Sequence, residues 1–262
     1  IAHIEEIMDV AYEMHTTAMK MAQPGIYERE ISGKLEGIAL AHGGNVSFPI
    51  ILTKHGETLH NHYHGHKLEK GDLLLVDAGF DSQMYYATDH TRTSPVGGKY
   101  TNIQKTIYQI VLDANNNAFD AMKPGVINKD VHMIACKTII KGLQDLGIMK
   151  GDIDEAAKAG AHSLFMPHGL GHMMGMDVHD MEGLGENYVG YDEEVQRGKD
   201  LATAALRMGR ELKPGFVLTN EPGIYFIPDL IAKWKAEKTN EQFINFNEAE
   251  KYLGFGGVRL ED

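Results

Sequence analysis

Cysteine is almost absent from this 262-residue chain: Cys136 stands alone. An internal disulfide and a structural zinc site built on cysteine pairs are thereby excluded, and a reducing, cytoplasmic compartment is expected. Long apolar runs are missing as well. No window approaches the roughly 18 consecutive apolar residues of a membrane span, and no basic stretch followed by an apolar run and a cleavage site opens the chain. Neither membrane insertion nor secretion is expected. Basic residues are scarce, with 25 Lys and Arg against 37 Asp and Glu and a net charge of -12, a balance that repels nucleic acid and anionic membranes. The remainder, 43% apolar and 24% charged, is that of an ordinary globule large enough for a sizeable core. The chain opens on Ile1 and closes on Leu260, Glu261 and Asp262 in what reads as mid-strand, as expected of a piece cut from a longer protein.

Two patterns recur along the chain. Ile4, Ile7, Met8, Ala11, Met14 and Ala18 keep a helical period that ends before Pro24 and Gly25, and the spacing predicts helices over 4–22 and 28–42. A hundred residues on, Ile107, Ile110, Val111, Ala114 and Ala118 lead to Pro124 and Gly125, with a further helix from 129 to 146. The second echo is sharper. Leu68, Gly71, Leu74, Asp77 and Gly79 match Leu212, Gly215, Leu218, Glu221 and Gly223 without a gap. Each segment reads as a turn feeding a buried strand that ends in a carboxylate just before glycine. Two helix-helix-sheet halves, spanning about 1–100 and 101–262 and packed about a pseudo-twofold axis, would bring those carboxylates together. The offsets of 100 and 144 make the second half 44 residues longer, and residues 224–253 read as an insertion with some helix.

Carboxylates and histidines are the residues that could carry chemistry. Asp77 ends an apolar run and Asp89 follows twelve residues later, within reach of a hairpin. An aspartate there is costly to bury unless it is paired, although turn-capping aspartates are common. His168, His172 and His179 fall within twelve residues among Gly169, Gly171 and Gly175, where backbone can approach a ligand closely. They are either hydrogen-bonded structural histidines or metal ligands. Glu221 and Glu261 add carboxylates to apolar strands. Such an oxygen-rich set suits two divalent ions, with Mn²⁺, Co²⁺, Fe²⁺ or Zn²⁺ as candidates. His60, His62, His64 and His66 alternate, which would place them on one side of an extended segment. Cys136 reads as a small buried residue on an amphipathic helix, and Met14, Met133 and Met208 as core fillers.

Taken together, Asp77-Ala-Gly, Asp89-x-Thr-Arg-Thr, His168-x-x-x-His172 with Val178-His179-Asp180, Glu221-Pro-Gly and Gly257-Val-Arg259-x-Glu261 resemble the pita-bread metallopeptidases, an α+β family. The match runs over nearly the whole chain, with the motifs in the family's order. Within that family, Phe165-Met-Pro-His168, Glu221 to Ile227 and Gly254 to Arg259 favour prolidase over aminopeptidase P. The resemblance implies Asp77, Asp89, His172, Glu221 and Glu261 as ligands of two divalent ions, Mn²⁺ foremost. It implies catalytic roles for His60, seventeen residues before Asp77, for His179 and for Glu221. His168 and Arg259 would support the pocket, with Arg259 orienting Glu261. The implied activity is hydrolysis of the Xaa-Pro bond of a dipeptide or short peptide by a metal-bridging hydroxide, in a protein that forms a homodimer at full length with an upstream domain. The interval between Asp77 and Asp89 is one residue longer than is usual in the family, so a bulge is expected over Tyr85 to Thr88. Methionine aminopeptidases share the five-ligand pattern but lack the Val178-His179-Asp180 element, and creatinase lacks the ligands.

Overall fold

The computed structural model describes residues 1–262. Helices α1 (Ala2–Met21) and α2 (Glu28–Ala41) stand where they are expected; on α1 Ile4, Ile7, Ala11, Met14 and Ala18 of the apolar stripe are buried, joined by Val10, while Met8 faces solvent, and α2 buries Ile31, Leu35 and Ile38. The loop between them crosses Pro24 and Gly25, whose φ of +98° is the left-handed conformation that favours glycine. Two short strands follow, β1 (Asn45–Val46) and β2 (Ile51–Thr53), and then the fully buried β3 (Leu73–Ala78). β4 (Phe80–Asp81) pairs with β1, whereas β5 (His90–Pro95) lies antiparallel to β3 on the side opposite β2. Leu74, Val76 and Ala78 face the α1–α2 pair and close the first core.

Helices α3 (Asn102–Ala121) and α4 (Asn128–Asp145) build a second and larger core through Ile107, Val111, Val131 and Ile139. Thr101 caps α3, accepting from the Gln104 amide while Gln104 Oε1 accepts from Thr101 N, a capping box. The remaining elements are α5 (Ile153–Lys158), α6 (Glu186–Val189), β6 (Gly223–Tyr225), α7 (Pro228–Glu237), α8 (Phe246–Ala249) and β7 (Gly257–Arg259). α7 and α8 fall inside the 224–253 insertion. β6 pairs with β7, and just beyond β7 Glu261 bridges to Thr91 on β5. That bridge joins the two sheets edge to edge, and the candidate carboxylates lie along the seam.

The same backbone hydrogen bonds occur twice. Gly25 N donates to Leu68 O as Gly125 N does to Leu212 O, both at 2.8 Å, and Leu68 N to Ile26 O as Leu212 N does to Val126 O, again at 2.8 Å. Glu28 N to His66 O is matched by Asn128 N to Arg210 O, each 3.0 Å. The partners are offset by 100 residues on the helical side and 144 on the other, the two offsets read from the sequence.

Three expectations are corrected. The 212–221 segment is not a strand like β3: it runs extended beside 170–174, exchanging Thr219 N to His172 O and Glu221 N to Leu170 O, with one bridge at Met173 and Leu218. A ladder forms only where a regular partner lies alongside, and here the partner is a glycine-rich loop. The extra residue between Asp77 and Asp89 sits at a hairpin tip, where Tyr85 N donates to Ser82 O and Tyr85 takes φ +62°. The alternating histidines do not share a face. His60 has φ +52°, no strand covers 60–66, and the four side chains divide between the cleft and the protein body.

Candidate metal centre and its cleft

A cleft of about 280 Å³ opens over the seam, and His60, Asp77, Asp89, His168, His172, His179, Glu221, Arg259 and Glu261 all line it. The register explains how. Asp77 lies on β3 opposite Thr91 of β5, Asp89 immediately precedes β5, and Glu261 enters through its bridge to Thr91. His172 and Glu221 arrive on the paired segments 170–174 and 217–221. Close approach there depends on Gly171, since a Cβ would lie 2.0 Å from Thr219 O.

Hydrogen bonds orient each group. His172 Nδ1 donates to Met173 O at 3.0 Å, the tautomer that turns the Nε2 lone pair toward Asp89 Oδ2 at 3.4 Å and Glu221 Oε1 at 3.8 Å. Thr91 Oγ1 donates to Glu261 Oε2 at 2.7 Å. Arg259 is buried and donates three ways, from Nη2 to Asp77 Oδ2 at 2.6 Å, from Nη1 to the Tyr225 hydroxyl at 2.9 Å and from Nε to Thr91 Oγ1 at 3.0 Å. Its direct partner is therefore Asp77; Glu261 lies 3.7 Å from Nε and is reached through Thr91. His168 Nδ1 donates to Gly169 O at 2.7 Å, so its Nε2 accepts from the Tyr225 hydroxyl at 2.9 Å.

Four carboxylates share this volume with one bonded cation. Burial, and then the negative charge of Asp77 and Glu221, holds the Asp89 carboxyl well above the usual carboxylate range. Burial, followed by Asp89, Glu221 and Asp77, does the same to Glu261. Asp77 Oδ1 and Asp89 Oδ1 are buried without a hydrogen-bond partner. Ligand atoms of Asp89, His172 and Glu261 lie within 4.8 Å of one another. Unpartnered inward oxygens, excess negative charge and a histidine whose second nitrogen is tied to a carbonyl are what divalent ions would satisfy. The residues present fit such a group.

His179 stacks edge-on against His172 with ring centroids 4.2 Å apart. Its pKa is pushed down to about 3 by burial, then by His172, Arg207 and His60, leaving a neutral imidazole. Arg207 belongs to none of the sequence motifs. It lines the cleft and pairs with Glu182 at 2.5 Å and Glu186 at 3.0 Å, and no local motif flags it, because it reaches the cleft on an irregular loop. His62 also lines the cleft, while His64 bonds Leu52 O and His66 bonds Glu28. Phe48, Ile51, Leu59 and Val178 supply an apolar wall.

A second cluster lies behind that loop. His132, Cys136 and His162 are fully buried with ligand atoms within 4.8 Å of one another. His132 Nε2 is bonded to Ala202 O at 2.9 Å. Burial pushes His132 down to about 4 and His162 to about 3, and raises the Cys136 thiol.

The model of metallopeptidase family M24 matches residues 2–262. The Xaa-Pro dipeptidase of Homo sapiens is 36% identical over 262 residues, covering 97% of this chain and 51% of that protein. A probable Xaa-Pro aminopeptidase of Fusarium vanettenii is 37% identical over 265 residues, covering 100% of this chain and 55% of that protein. Among solved structures, proline aminopeptidase P II from Yersinia pestis superposes with a TM-score of 0.78 at 32% identity, over 100% of this chain and 52% of that one. Zinc-substituted Escherichia coli aminopeptidase P in complex with product gives 0.78 at 32% identity, over 100% and 51%. The chain spans about half the length of the curated relatives it matches.

Proposed function

The chain belongs to metallopeptidase family M24, with that family's pita-bread fold, and from that premise we propose that the protein hydrolyses the Xaa-Pro bond of dipeptides. The observation that carries the reading is the oxygen-rich centre: Asp77, Asp89, His172, Glu221 and Glu261 converge with two orphaned carboxylate oxygens at the base of a cleft. In this reading those five side chains hold two divalent ions, Mn²⁺ before Co²⁺, Zn²⁺ or Fe²⁺. A metal pair bound there supplies an activated water at neutral pH.

The residues of the chain divide the rest of the work. Glu221, at the cleft with Thr219 Oγ1 3.4 Å from its Oε1, takes the proton from the attacking water and delivers it to the proline nitrogen. His179, neutral at working pH, and His60 donate hydrogen bonds to the scissile carbonyl as charge develops on its oxygen, where one well-placed donor contributes about 3 kcal/mol. Arg259 fixes Asp77, and His168, bonded to Tyr225, carries the Gly169 to Gly171 backbone that must pass close to Thr219. Phe48, Ile51 and Leu59 receive the proline ring. Arg207, bonded through Nη1 to Glu182 and Glu186, turns its remaining N–H groups to the free carboxylate of a dipeptide, which favours dipeptidase over longer-peptide activity.

Aminopeptidase P activity is the second reading, supported by relatives of both names. In the full-length protein we further propose a homodimer, in the cytoplasm; no helix is long and apolar enough to cross a membrane. The test is chelation followed by reconstitution. Cleavage of Ala-Pro should disappear with the metal and return with Mn²⁺ or Co²⁺. Equal or faster cleavage of Ala-Pro-Ala would move the assignment to aminopeptidase P, and cleavage of Met-Ala-Ser alone would overturn proline specificity.

A further inference from the structure

Two side chains outside the cleft occupy matching positions and do matching work with opposite chemistry. Glu28 is the first residue of α2 and Asn128 the first of α4, 100 residues apart, and both are completely buried. Their backbone amides make the paired bonds to His66 O and Arg210 O. Their side chains then reach into different loops.

Glu28 closes the neck of the 54–66 loop. Its Oε1 accepts from Lys54 N at 2.9 Å, and its Oε2 accepts from His66 N at 3.1 Å and His66 Nδ1 at 2.9 Å. A carboxylate, with acceptors only, suits a neck that presents three N–H groups. Between its ends the loop carries His60 and His62 into the cleft, with His60 held at φ +52°, a conformation a non-glycine residue keeps only when its surroundings impose it.

Asn128 meets the reverse situation. Its Nδ2 donates to Met208 O at 2.7 Å, one turn of α4 before His132 bonds Ala202 O. Tyr191 OH adds a bond to Leu206 O at 2.6 Å. The segment so gripped, 202–208, has no helix or strand of its own and brings Ala205 and Arg207 to the cleft. Here the loop offers carbonyls, so a donor is needed, and an acid at position 128 would face a carbonyl oxygen.

We propose that Glu28 and Asn128 are paired positioning residues, Glu28 fixing the loop that carries His60 and Asn128 the loop that carries Arg207, so that turnover and substrate capture have separate anchors. The assignment rests on the Xaa-Pro dipeptidase reading for the roles of His60 and Arg207. The two anchors then have different kinetic signatures. Displacing His60 weakens a contact that matters most in the transition state. Displacing Arg207 weakens a contact to the carboxylate that is the same before and during reaction.

The experiment uses the metal-loaded, full-length protein with Ala-Pro and Ala-Pro amide. For Glu28→Gln, kcat should fall about 10- to 100-fold with KM within about twofold. For Asn128→Ala, KM for Ala-Pro should rise about tenfold with kcat within about threefold, and the rise should vanish for the amide. Hydrogen exchange supplies a readout independent of activity: the Lys54 and His66 amides should exchange faster in Glu28→Gln than in Asn128→Ala. Where Glu28→Gln fails to fold, His66→Ala removes one of the three bonds and should show the same kcat effect at smaller size. The same kinetic parameter changing in both variants, or a thermal shift with no kinetic split, overturns the proposal. Wild-type protein inactive on every Xaa-Pro peptide overturns the substrate reading instead; the anchoring of the loop then falls only if Glu28→Gln leaves exchange at Lys54 and His66 unchanged.

Discussion

Two buried clusters of ionisable groups lie on either side of the loop that carries Arg207, and each brings three ligand atoms within 4.8 Å. They differ in what burial has done to them. In the cleft, Asp89 and Glu261 sit among like charges, two carboxylate oxygens lack partners, and the volume opens to solvent. Behind the loop, His132, Cys136 and His162 are neutral groups in apolar surroundings, with His132 Nε2 bonded to Ala202 O and His162 Nδ1 buried without a partner. Proximity of ligand types is therefore a poor guide by itself. Carboxylates crowded by like charge and an approach from water separate a centre that suits a cation from a cluster of neutral groups buried in the core.

The largest difference is expected in activity. The double substitution Asp89→Ala, Glu221→Ala should lower Ala-Pro turnover on the order of 10³-fold or more, because it removes two candidate ligands, one of them the proposed proton carrier. Cys136→Ala in the second cluster should leave kcat and KM within about twofold. Full activity of the double variant, with two ions still bound by metal analysis, would reverse the roles assigned to the clusters.

Part of the cleft was legible in short-range signals, and the family resemblance supplied the rest. Asp77 and Glu221 each stand two residues before a glycine at the end of an apolar run, and His168, His172 and His179 share one glycine-rich stretch. The helices were legible from their apolar period. What the sequence did not disclose depends on tertiary partners. The 212–221 segment carries the β3 pattern yet has no regular strand beside it. The four alternating histidines divide because Glu28 draws His66 and Leu52 O draws His64. Arg207 lies in an irregular segment whose course is set by Asn128, His132 and Tyr191, three contacts from distant parts of the chain.

A smaller effect, in stability, should come from the second cluster as pH falls. His132 and His162 have folded pKa values near 4 and 3 against an ordinary 6.5. The unfolded chain therefore takes up protons that the folded one refuses. Their stabilisation is complete above pH 6.5 and is lost as pH falls from there toward 4, on the order of 1 kcal/mol per pH unit for each. Urea unfolding of metal-free protein between pH 7 and pH 5 measures it, with His162→Leu as the control. The variant should lose about half of the acid-side slope attributed to the pair. An unchanged slope would mean that His162 is not held neutral, and would weaken the contrast with the cleft.

The smallest effect, and the sharpest check on the second cluster, concerns Cys136. It is fully buried, its sulfur lies 3.4 Å from His132 Nε2, and burial raises its thiol pKa, so it is neither exposed nor ionised at neutral pH. A disulfide reagent should modify it only when the protein opens, at a rate that follows unfolding and rises with urea. Cys136→Ala should cost about 1 kcal/mol, the size of a small cavity in a packed core. Rapid labelling in the native state at neutral pH would reveal an ionised thiol and a route from water in the second cluster, and the contrast between the clusters would fail at its base.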